Sequence, residues 1–212
     1  MKKYKNPPQI QWSTLTQRPT QSFAEVEETV KAIFKEIQTK GDNAVAKYTS
    51  LFDGIKLENF LVSENEIKEA ENQVSTELKE AIALAKSNIY KFHSAQKTNK
   101  IEVETTKGVQ CWQEKRPIQK VGLYIPSGTA PLFSTVLMLA IPSKIAGCEE
   151  IILCSPPDKN GKINPSILYA ANLCGVTKIY KVGGIQAIAA LTFGTETIPK
   201  VYKIFGPGNQ FV

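Results

Sequence analysis

The sequence is poor in the side chains that bind metals and relay protons. Its 212 residues contain one histidine, His93. The four cysteines, Cys111, Cys148, Cys154 and Cys174, form no Cys-x-x-Cys pair and have no histidine at metal-ligand spacing. They are expected to be reduced and structural, three of them in apolar surroundings. No apolar run reaches the ~18 residues that span a bilayer, and the longest, around 132–140, is interrupted by Ser134 and Thr135 and followed by Pro142. The basic N-terminus, MKKYKNPP, has no apolar stretch behind it, which argues against a signal peptide. Low-complexity tracts are also missing. These absences point to a chain that is cytosolic by default, without a membrane partner.

What is present is ordinary for a soluble α/β protein: 42% hydrophobic and 22% charged residues. A chain this long buries roughly 70% of the surface its unfolded form exposes, so it needs no covalent staples. The net charge of +6 raises the question of an anionic polymer partner. Lysines are dispersed, however, and across residues 25–40 and 64–91 they alternate with glutamates as on solvated helix faces. No nucleic-acid partner is expected.

The texture changes near Lys120. Before it the signals are mostly helical. Ser22 precedes an apolar stripe of Phe23, Val26, Val30, Ile33, Phe34 and Ile37, which Gly41 stops. A short helix over 42–51 is closed by Asp53-Gly54. Ser63-Glu64-Asn65-Glu66 matches a capping box. Ser75 begins a longer helix to about Gln96, carrying Leu78, Ile82, Leu84, Ala85, Ile89 and Phe92. Residues 101–105 and 109–115 then read as a β-hairpin. No catalytic constellation lies in this segment. His93 has no Cys, Asp or Glu with a claim on it, and reads as a surface or capping residue.

After Lys120, strands and helices alternate. Strands are predicted at 121–125, 150–154, 178–182 and 201–205. Helices are predicted at 132–145, at 165–174 with Asn164 as cap and Pro165 in the first turn, and at 185–193. This spacing is that of βα units, whose right-handed crossovers make one parallel sheet with helices on both faces. Ligands bind outside the carboxyl ends of such strands. Each end here is a Gly, Pro or Ser loop: Pro126-Ser127-Gly128, Ser155-Pro156-Pro157, Gly183-Gly184 and Gly206-Pro207-Gly208. Any one of these alone is a tight turn. Four in register along one rim suggest a nucleotide-type ligand, held by close backbone approach and helix N-termini. The G-x-G-x-x-G fingerprint after the first strand is missing, and no acidic residue ends the second. Residues 206–209 should lead into a helix, so the chain reads as an incomplete Rossmann-like domain.

Several long blocks resemble the histidinol dehydrogenase family. They are VGLYIPSGTAPLFSTVLMLA at 121–140, Ile145-Ala-Gly-Cys148, Leu153-Cys-Ser-Pro-Pro157, Leu168-Tyr-Ala-Ala171, Leu173-Cys-Gly-Val176, Val182-Gly-Gly-Ile-Gln-Ala-Ile-Ala-Ala190, Phe193-Gly-Thr-Glu196 and Lys203-Ile-Phe-Gly-Pro-Gly-Asn209. The resemblance runs from about Gly41 to Val212. It implies an N-terminal helical arm with a β-hairpin (residues 1–119), then an aldehyde-dehydrogenase-like, Rossmann-like NAD-binding domain truncated at its C-terminal end (residues 120–212). It also implies oxidation of L-histidinol through histidinaldehyde to L-histidine with two NAD⁺, by a zinc-dependent homodimer. Tyr124, Gln186 and Asn209 match the family's NAD-binding positions. Ser127 stands where the family more commonly has a second glycine. The family's zinc ligands, its catalytic Glu-His pair and its substrate-binding residues match no position of this sequence, so no catalytic or metal-binding residue is assigned. Two other readings remain at this stage: another NAD(P)-dependent enzyme with an aldehyde-dehydrogenase-like domain, and a non-catalytic module that dimerises or binds a partner through an uncovered sheet face.

Overall fold

The computed structural model describes residues 3–17, 23–126 and 130–208. The predicted cap Ser22 lies outside them. A short 3₁₀ turn (Gln9–Gln11) runs into α1 (Trp12–Leu15), neither of which buries a residue fully. The long α2 (Phe23–Phe52) carries the first apolar stripe and bends at Gly41, whose φ of 53° and ψ of −131° break the helix. That positive φ is available to glycine at little cost. The bend divides α2 where two helices are predicted. Glu196, from the loop after the last helix, caps the new N-terminus: its Oε2 accepts from the Asp42 N–H at 2.7 Å, and Thr197 Oγ1 donates to Asp42 Oδ1 at 3.0 Å. A side chain at Gly41 would run into the Glu196 carboxylate.

Ser63 caps α3 (Glu64–Gln73) through the predicted capping box, with Glu66 accepting from the Ser63 N–H. Ser75 caps α4 (Thr76–Ser94). Its Ile82 is fully buried, whereas Leu84 and Phe92 face solvent on the other side. β1 (Ile101–Thr106) and β2 (Val109–Gln113) form the antiparallel hairpin, exposed along its whole length.

The second half supplies β3 (Lys120–Tyr124), α5 (Phe133–Ala146), β4 (Glu150–Ser155), α6 (Pro165–Leu173), β5 (Lys178–Lys181), α7 (Gly184–Phe193) and β6 (Lys203–Phe205). Asn164 caps α6 with Pro165 in its first turn, as predicted. β6 starts two residues later than the pattern suggests. The Val201 amide is committed to the Leu191 carbonyl, and pairing with β3 begins only at Tyr202. All four strands are parallel, in the order β5-β4-β3-β6.

β3, β4 and β5 are buried on both faces, and their successive residues alternate between two cores, while β6 is left partly exposed at the margin. Val121, Leu123, Ile151, Leu153 and Ile179 pack with α3, α4, α5 and α6. Tyr124, Ile152, Cys154 and Tyr180 pack with α2 and α7. This period-2 division of an almost wholly apolar strand is the mark of a parallel sheet between helical layers. Residues before Lys120 contribute to both cores. Residues 60–62 run antiparallel along the free side of β5, where Lys181 N donates to Phe60 O and Val62 N to Ile179 O. No helix among the described residues is long and apolar enough to cross a membrane.

A charged knot bridges the bend in α2. Glu36 receives Lys40 from its own side, and Lys47 and the Tyr48 hydroxyl (2.6 Å) from the other. These donors hold its carboxyl at about 2, the Lys47 bond first. A depressed carboxyl stabilises the fold above its ordinary value of 4.5, and this contribution is lost as pH falls through that value toward 2. Glu36→Gln is therefore expected to lower the urea midpoint at pH 7. The gap to the native sequence should close between pH 4.5 and 2; a gap that persists unchanged at low pH refutes this account.

Candidate dinucleotide site

The strand tips all point to one rim, and the sheet order places a reversal there. From β3 the chain winds outward through β4 and β5, then α7 carries it back across to β6 on the other side of β3. The crevice between the β3 and β6 tips is the topological switch point where open parallel sheets bind ligands.

Tyr124 ends β3 at that crevice, on the face shared with α2 and α7. It is buried, and its hydroxyl oxygen accepts the Gly184 N–H at 3.0 Å. With a lone pair so engaged, the hydroxyl proton remains a donor. Burial raises the phenol above its ordinary value, Asp53 adds to this, and the Gly184 bond works against both.

Gly184 opens α7 with a φ of 57°, and Gly183 before it is extended and gives no side-chain cap. α3, α4 and α6 each begin on a side-chain cap, whereas α7, like α5, starts without one from its N-cap residue. Uncapped amides and the positive end of the helix dipole suit an anionic group. The turns are also tightly joined. A side chain at Gly183 would enter the Pro156 ring, and one at Gly206 would lie 2.5 Å from the Tyr124 carbonyl oxygen.

Gln186, in the first turn of α7, is only 1% exposed. Its Nε2 donates to Asp53 Oδ2 at 3.1 Å, while its Oε1 is buried with no partner among the described residues. A buried acceptor left unpaired costs about 1–3 kcal/mol. Asp53 follows the end of α2, and burial raises its carboxyl, with the Gln186 bond opposing. The structure thus brings Tyr124 and Gln186 together through Gly184. Asn209 and Ser127 lie outside the described residues.

Beside this crevice, between α3 and α6, lies a cleft of about 460 Å³ bordered by Pro126, Ser155, Pro156, Glu66, Asn164 and Leu168. Ser155 Oγ is buried and unpartnered at the tip of β4. Cys154, one residue earlier, faces the other core, where burial pushes its thiol up to about 12. It is therefore neutral at physiological pH and no nucleophile. His93 sits far from the rim, its Nδ1 2.8 Å from Gln96 Oε1 at the end of α4. Among the described residues, no group of three or more His, Cys, Asp or Glu side chains is placed to hold a metal ion.

Sequence reasoning missed Asp53 and Ser155. Asp53-Gly54 reads as a helix stop, and nothing in the order of residues says that the carboxylate turns back onto α7. Ser155 reads as one member of a turn.

A parallel sheet wound with helices on both faces, with glycine and proline turns along its carboxyl rim, defines this chain as a Rossmann-like α/β protein. Comparison with known proteins makes the assignment specific. The model of the histidinol dehydrogenase family matches residues 16–212, and the chain belongs to that family. It is 57% identical to the histidinol dehydrogenase of Bacteroides fragilis over 212 residues, all of this chain and 50% of that protein. It is 52% identical over 210 residues to the enzyme of the same name from Shewanella oneidensis, covering 95% of this chain and 47% of the relative. The crystal structure of histidinol dehydrogenase from Elizabethkingia anophelis superposes with a TM-score of 0.92 at 56% identity, over 99% of this chain and 48% of that one. The chain spans about half the length of the curated relatives it matches.

The Tyr124 hydroxyl is the acceptor that fixes the start of α7. Tyr124→Phe leaves the Gly184 N–H unpaired and is expected to cost about 1 kcal/mol of stability in urea unfolding. An unchanged midpoint would remove this bond from the frame of the site.

Proposed function

We propose that this chain carries the dinucleotide-binding part of an NAD-dependent histidinol dehydrogenase. The reaction is oxidation of L-histidinol through histidinaldehyde to L-histidine with two NAD⁺, in a zinc-dependent cytoplasmic homodimer. Residues 120–212 are proposed as the dinucleotide-binding domain and residues 1–119 as a helical arm. One observation supports the reading: two positions matching the family's NAD contacts, Tyr124 and Gln186, lie on either side of Gly184 at the carboxyl rim of the sheet.

The residues at the rim fit a dinucleotide. The uncapped turn of α7 suits its diphosphate, the Tyr124 hydroxyl proton is free to be donated, and the orphaned Gln186 Oε1 calls for a donor. Bound NAD⁺ supplies the hydride acceptor. The chain's own work is to orient it: Tyr124 spans from β3 to α7, Asp53 fixes the Gln186 amide, and Asn209 is proposed to add a contact from the loop after β6. The described residues offer no ligand set for zinc.

Titration of the 212-residue chain with NAD⁺, followed by NMR, tests the site. Weak binding is expected, reduced about fivefold or more by Tyr124→Ala and by Asn209→Ala, each losing one contact worth ~1 kcal/mol. Affinities identical to the native sequence would remove those residues from the site. The family's zinc-binding and Glu-His residues match no position in the sequence. The purified chain with zinc, histidinol and NAD⁺ is accordingly expected to form no NADH, and zinc-dependent absorbance growth at 340 nm would overturn that.

A further inference from the structure

The half-buried carboxylate of Asp53 belongs to no ion pair among the described residues, whereas the partly buried Glu66 and Glu150 both hold lysines. Its hydrogen-bonding partner is instead the side-chain amide of Gln186, 133 residues away, at the start of α7. An ionised carboxylate only accepts hydrogen bonds, and so decides which way the amide faces. Nε2 must turn to Asp53. Oε1 must then turn away, and it lies beside Gly184, 3.1 Å from where a side chain on that residue would begin. Gly184 is the residue whose amide holds the Tyr124 hydroxyl. The rim therefore sets one acceptor, Gln186 Oε1, and one donor, the Tyr124 hydroxyl, on either side of a glycine. With the amide reversed, two donors would stand there and the acceptor would be lost.

We propose that Asp53 is a positioning residue for dinucleotide binding, holding the Gln186 amide so that its oxygen receives a hydrogen-bond donor of the ligand. This rests on the reading of the rim as an NAD⁺ site. The donor is an N–H or O–H of the dinucleotide, from the carboxamide, the adenine amine or a ribose hydroxyl.

The test uses the full 212-residue chain with two variants, Asp53→Ala and Asp53→Asn, and their combinations with Gln186→Ala. Asparagine keeps an acceptor for Nε2, and alanine does not. Asp53→Ala is expected to weaken NAD⁺ binding about five- to tenfold and to shift the Gln186 side-chain amide resonance in the free protein. Asp53→Asn should stay within about threefold of the native sequence, and Asp53→Ala should cost nothing further once Gln186 is alanine. The 3-acetylpyridine analogue of NAD⁺, which lacks the amide N–H, identifies the donor. If it loses affinity and becomes insensitive to Asp53→Ala, the donor is the carboxamide. If it behaves as NAD⁺ does, the donor is a ribose hydroxyl or the adenine amine. Native chain that binds NAD⁺ while Asp53→Ala binds equally well, or while Asp53→Asn is as weak as Asp53→Ala, overturns the positioning role. Native chain that binds no NAD⁺ overturns the site reading and the inference with it, and an unshifted Gln186 resonance in Asp53→Ala shows separately that the contact itself is absent.

Discussion

β3, β4 and β5 are buried on both sides, and most of the molecule follows from that constraint. They give alternate side chains to two apolar cores, so almost no polar group is tolerated along their length. Polar chemistry is pushed to the ends. There the chain must turn tightly enough for helices to return over the sheet, which explains why glycine and proline crowd the rim. Packing and the polar rim thus come from one requirement: a strand too apolar to carry polar groups along its length ends in an exposed backbone.

The long N-terminal helix is part of the same construction. It covers the sheet face beside α7, and its bend at Gly41 is capped by Glu196 from the far end of α7. The Phe193-Gly-Thr-Glu196 block that marks the family resemblance is therefore explained in part by a contact with residue 42. The helix then ends by delivering Asp53 to the start of α7. Two contacts, one at each end of the helix pair, hold the register between them.

The fold was legible because its signals are local. The Ser63 box, the Ser75 and Asn164 caps and the period of strands and helices each act within a few residues. The rim was legible for the same reason, since four strand ends announce themselves as turns. The partners across the rim were not. That Tyr124 meets Gly184, or that Asp53 turns onto Gln186, depends on how α7 crosses the sheet, and this is settled by packing of residues more than fifty positions apart. Leu84 and Phe92 show the opposite error: apolar side chains in a helical pattern that the structure leaves in solvent.

The two margins of the sheet are unequal. Residues 60–62 saturate the outer backbone groups of β5, while the outer side of β6 has no strand beside it among the described residues and leaves Phe205 38% exposed. Hydrogen-bonding valence thus survives on one flank only, and that flank adjoins the crevice between β3 and β6. Any strand laid against β6 must also raise a wall beside that crevice, so lengthening this sheet and deepening its cleft are a single geometric event.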